Sequence, residues 1–179
     1  MGVDKPRRIE ERFVREIILA LVLFGVVMVQ TTVLPRPLEI APNILLMLVI
    51  CRALVSGLPN AARWAFYGGL SLDICAGSTL GTHALALLAA VICAGLPLTR
   101  LHRENWLLPL VGGLFGTLAY HGVLALLTTL LVAPVPIETY AVIVAVPNLV
   151  ITLIPVLPLF LVMRWFVSRQ RGEVPMDLY

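Results

Sequence analysis

The feature that most constrains this chain is a succession of uncharged runs: Ile17–Leu34, Ile40–Cys51, Trp64–Leu72, Ile74–Thr99, Asn105–Ile137 and Thr139–Met163. Only 13% of the 179 residues are charged, about half the share usual in soluble domains. A protein of this size cannot hide 60% hydrophobic residues from water, so most of them must face a bilayer. The same composition excludes disorder, which needs few apolar residues and high net charge.

Crossing a hydrocarbon core about 30 Å thick takes roughly 20 residues at about 1.5 Å each. The first run, extended back to Phe13, predicts a helix over 13–34, and the second, carried past Arg52, predicts one over 41–58. The stretch from Trp64 to Thr99 is too long for one crossing and is broken at Gly77-Ser-Thr-Leu-Gly81, which predicts helices over 60–76 and 82–99. Helices over 106–132 and 139–163 follow, with Pro134 and Pro136 in the turn between them. Pro147, Pro155 and Pro158 are expected to kink the last helix. The expected fold is an all-α bundle of six transmembrane helices over 13–166, flanked by a basic segment at 1–12 and a tail at 167–179. The first run is longer than a signal-peptide core and ends in Pro35-Arg36-Pro37 with no small-residue cleavage site, so it reads as an anchor.

Orientation follows from the basic residues. Lys5, Arg7, Arg8, Arg12 and Arg15 precede the first long run, and Arg164, Arg169 and Arg171 follow the last. Alternation puts Arg63, Arg100 and Arg103 on the same side and leaves Arg36 in an outer loop. The positive-inside rule then predicts that both termini are cytoplasmic. On the cytoplasmic side, Arg7, Arg8, Arg12, Arg15, Arg63, Arg100 and Arg103 also suit anionic lipids or acidic partner segments, at about 1 kcal/mol each. No basic and aromatic interleaving points to nucleic acid.

Ionisable residues at membrane depth are costly and are read first as functional or paired. Arg52 falls about 9 Å and Asp73 about 15 Å above the cytoplasmic boundary of the predicted helices. Either the two form an intramembrane pair, or Arg52 snorkels to the headgroups while Asp73 bonds Ser71, Ser78 or a neighbouring helix. His121 falls mid-helix, where a lone His more often bonds between helices than acts as a ligand or base. Gly69-Leu-Ser71 with His121 invites an intramembrane serine-protease reading, but Leu72 stands where that motif needs Gly.

Small residues cluster at Gly68 and Gly69, at Gly77 and Gly81, and at Gly112 and Gly116. The last pair is a GxxxG ridge, which admits a close helix from this chain or from a partner. Cys51, Cys75 and Cys93 lack the spacing of a zinc or redox site. No phosphate loop, HExxH or paired ligand motif is present. The expectation is a protein without catalytic residues, metal or cofactor.

Three stretches resemble the rod shape-determining MreD family of bacteria: Gln30-Thr-Thr-Val-Leu-Pro35, Pro42-Asn43-Ile-Leu-Leu-Met47, and Gly68-Gly-Leu-Ser-Leu-Asp73 through Gly77-Ser-Thr-Leu-Gly81-Thr-His-Ala-Leu85. Pro42, Asn43, Asp73, Gly77 and Gly81 are the motif positions. The resemblance implies a multi-pass scaffold of the bacterial inner membrane that binds the bitopic protein MreC. Through it the scaffold would reach the MreB filament and the peptidoglycan polymerase formed by RodA and a class B penicillin-binding protein. The family is also distantly similar in fold to the S components of energy-coupling-factor transporters, which implies a rival role in solute binding. Against that rival, Ile17–Phe24 lacks the AxxxA ridge of S components, and the outer loops Pro35–Ala41, Gly77–Gly81 and Ala133–Glu138 are short.

Overall fold

A computed structural model describes residues 9–32, 43–95, 107–132, 134 and 136–171. Among these the only regular structure is helical: α1 Ile9–Thr32, α2 Ile44–Ser56, α3 Leu58–Ala76, α4 Thr82–Gly95, α5 Leu107–Leu131, α6 Ile137–Tyr140 and α7 Val146–Arg171, with a π-helical segment Ala141–Ala145 joining the last two into one rod. The chain is thus a six-helix membrane protein. Phe13–Thr32, Leu107–Leu131 and Glu138–Trp165 are long and apolar enough to cross a bilayer.

The other helices differ from the expected bounds where both of their ends are described. The predicted span 41–58 corresponds to α2 with 13 residues, which rises only about 20 Å, and the described part of the predicted span 82–99 is α4, Thr82–Gly95. α3 begins two residues earlier than predicted, and Gly57 alone separates it from α2. The helix starting at Ile9 takes in part of the segment expected to precede the first span. Arg36, Pro42, Arg100, Arg103 and the tail 172–179 lie outside the described residues.

The short α2 is the hub of the bundle, packing against α1, α3, α4, α5 and α7. Leu45, Leu46, Val49, Ile50 and Ala53 on this one helix are completely buried, as expected of a helix that is apolar on all sides. Outer helices carry the lipid-facing surface. Phe13, Ile17, Ile18 and Leu21 on α1 are exposed, as are Val150, Ile154, Leu161 and Val162 on α7.

Prolines shape the last rod. The π segment stands immediately before Val146-Pro147, and the Val146 N–H bonds back to the Ala141 carbonyl, so the rod widens just ahead of Pro147, which has no N–H to give. Pro155 and Pro158 lie inside α7.

Candidate functional site

α1, α3 and α5 run away from the end where α1 begins, and α2, α4 and the last rod run back towards it. The bundle therefore has a proximal end, at the start of α1, and a distal end. Polar side chains collect at both, in different ways.

At the distal end the organising residue is Asp73, three residues before the end of α3 and 1% exposed. Its main-chain carbonyl accepts from the N–H of Gly77 and, at 3.2 Å, of Ser78, which closes the C-terminus of α3. Gly77 (φ 64°) and Gly81 (φ 98°) are left-handed, a conformation glycine adopts without the clash other residues meet. The turn they make returns the chain onto the carboxylate. Gly81 N–H donates to Oδ2 at 2.8 Å, while His83 N–H, Thr82 Oγ1 and Ser78 Oγ donate to Oδ1 at 2.9 Å. One aspartate thus ends α3 with its backbone and caps α4 with its side chain, its negative charge set at the positive end of the α4 dipole.

α2 is capped at the same end. Asn43 Oδ1 accepts from Leu46 N–H at 3.0 Å, and Gln30 Oε1, reaching from α1, accepts from Leu45 N–H at 3.0 Å. Gln30 Nε2 also approaches Asn43 Oδ1 at 3.5 Å. These partners answer backbone groups that would otherwise be orphaned where α2 starts inside the protein. The Asn43 side chain also lies close to the Tyr120 hydroxyl on α5. That hydroxyl lies 2.9 Å from His83 Nδ1 on α4, so the chain of polar contacts runs from Gln30 through Asn43 and Tyr120 to His83 and ends beside Asp73. His121, expected to bond between helices, meets the Tyr140 hydroxyl of α6 through Nδ1 at 3.0 Å.

The glycine clusters are used inside the chain. A Cβ on Gly69 would fall 2.3 Å from the Ala84 Cα, so α3 and α4 touch backbone to backbone there. A Cβ on Gly68 would meet Leu45 of α2. Along the Gly112 and Gly116 ridge, Gly112 receives Leu54 of α2, and Gly116 receives Ile50 of α2 and Ala94 of α4. That ridge faces the hub helix and offers no groove to a helix from outside.

The proximal end holds Arg52, and the structure does not bring it to Asp73. Its guanidinium carbon lies 5.2 Å from the ring centroid of Trp64, in cation–π range. Trp64 precedes Asp73 by about 13 Å of helix rise on α3. Of the two expected arrangements for Asp73, the carboxylate takes the one in which it bonds Ser78, and the α3–α4 turn adds donors from Gly81, Thr82 and His83. Beside Arg52, the exposed Arg63 donates to Glu16 Oε1 at 2.9 Å and to Asn60 Oδ1 at 3.1 Å.

Reasoning from sequence passed over Gln30, Thr82, Tyr120 and Tyr140 as individual actors. A signal for the tyrosines was present, since a phenol within an apolar run needs a hydrogen-bond partner when buried. The cysteines are free thiols, with Cys51 buried against α7, its sulfur 3.8 Å from the Val156 carbonyl. Among the described residues no group of three or more His, Cys, Asp and Glu is placed to hold a metal.

The residues that build the distal end are those that carried the family resemblance, from Gln30 and Asn43 to Asp73, Gly77 and Gly81. No curated protein and no solved structure matches the chain. The family described as rod shape-determining protein MreD matches residues 10–169, nearly the whole helical bundle, and the chain belongs to that family.

Proposed function

We propose that this protein is a non-catalytic scaffold of the cell-elongation machinery, set in the bacterial inner membrane with both termini cytoplasmic. It binds an MreC-like bitopic partner and, through that partner, connects to MreB and to the polymerase formed by RodA and a class B penicillin-binding protein. Family membership supports a part in rod shape determination, in a family known as a structural component and not as an enzyme family. The observation that carries the scaffold reading is the closure of Asp73. Its carboxylate accepts four hydrogen bonds from its own chain, and an acid held in this way fixes a turn and is not poised to move protons. What such a bundle offers a partner is shape: exposed apolar faces on α1 and α7, over a core locked by the distal caps.

Co-expression with an MreC-like protein carrying one N-terminal membrane helix tests the reading. A complex that survives purification in mild detergent is expected. Separation of the two proteins under conditions that keep each of them folded would count decisively against it.

A further inference from the structure

At the proximal end, α1, α2 and α3 enclose a cavity of about 400 Å³ lined by Arg15, Glu16, Leu19, Arg52, Asn60, Arg63 and Trp64. The volume falls within the range of small-ligand sites. Among the described residues of this lining, three arginines stand against one glutamate. We propose that the cavity binds the phosphate headgroup of an anionic phospholipid.

Charge and position point the same way. Glu16 is engaged by Arg63 at 2.9 Å, and Asn60 braces the same guanidinium at 3.1 Å. This bridge fixes one wall of the cavity. Arg52 is half-buried and held against the Trp64 ring, so its orientation is set before any ligand arrives. Arg15 is exposed at the mouth. Guanidinium groups present paired N–H donors that match the oxygens of a phosphate. Trp64 has the amphipathic ring favoured at headgroup depth.

A lipid fits better than an acidic peptide because of what adjoins the cavity. Leu19 lines it from α1, and the same helix exposes Ile17, Ile18, Leu21 and Val22. A headgroup seated among the arginines leaves its acyl chains against that apolar face, whereas a peptide would have to cover it with side chains.

The test uses the full-length protein, delipidated in detergent and offered phosphatidylglycerol or phosphatidylethanolamine with identical acyl chains, with retained lipid read by native mass spectrometry. Phosphatidylglycerol is expected to be retained over phosphatidylethanolamine by about tenfold or more. Arg15→Gln, at an exposed position, should weaken retention by roughly fivefold, and Arg15→Gln with Arg52→Gln should abolish the preference. Arg164→Gln, at an exposed position on α7, should leave it intact. Should the double variant fail to fold, the single Arg15→Gln measurement still decides. Equal retention of the two lipids, or wild-type retention by Arg15→Gln, overturns the proposal. Displacement of the lipid by millimolar inorganic phosphate, or by an acidic peptide, also overturns it by marking a site for a free anion or for a protein segment.

Discussion

The two ends of the bundle handle charge in opposite ways. At the distal end one buried carboxylate meets four donors from its own chain, and the neighbouring amides and rings bond mostly to one another. At the proximal end the charged groups are larger, partly exposed and gathered round a cavity. Both ends look alike in a hydropathy trace, as one ionisable residue near the end of an apolar run. The difference lies in chain reversal. Asp73 is followed within a few residues by a tight turn whose N–H groups fold back on it, whereas Arg52 is followed by Gly57 and by a helix that brings Trp64 and a second arginine. The turn closes a site from within, and the helix leaves one open to the surroundings.

Removing Asp73 should do the most damage. Asp73→Ala leaves the half-buried Gly81 and His83 N–H groups without their acceptor and uncaps α4, at an expected cost of about 3 kcal/mol. The readout is the thermal unfolding midpoint in detergent, with Asp73→Asn falling between the variant and wild type. A midpoint unchanged in Asp73→Ala would erase the distinction between the ends.

Gly69→Ala comes next. Its new methyl would be driven into the Ala84 backbone, and overpacking of this kind costs about 1–3 kcal/mol. The same denaturation measurement checks it, and Gly122→Ala, where a Cβ would meet nothing within 4 Å, should be close to neutral.

The smallest effect belongs to the proximal end. Arg63 is 47% exposed and Glu16 28%, so Arg63→Ala should cost no more than about 1 kcal/mol, and less as salt is raised. A loss as large as that of Asp73→Ala would show that the proximal charges hold the fold together as tightly as the distal ones.

The helical bundle and the α3–α4 turn could be read from the sequence, because hydropathy and the Gly77 to Gly81 spacing are local signals. Pro42-Asn43 likewise marked the start of α2, and the Asn43 side chain caps it. What could not be read was long-range. Nothing near Gln30 says that its amide will bond to Leu45, and although Ser78 stood among the expected partners of Asp73, nothing local says that Gly81, Thr82 and His83 will join it. Helix length was misjudged for α2 because the estimate assumed contact with lipid, whereas this helix is wrapped by five others.

That wrapping bears on how the protein enters the membrane. At 13 residues, with Arg52 near its end, α2 is too short to span a bilayer by itself. Only Gly57 separates it from α3, so the two are expected to insert as one hairpin and to remain loosely placed until α4, α5 and α7 arrive. The central helix would then be the last to acquire its final surroundings, and truncation after α3 should yield a chain that the quality-control proteases of the membrane remove.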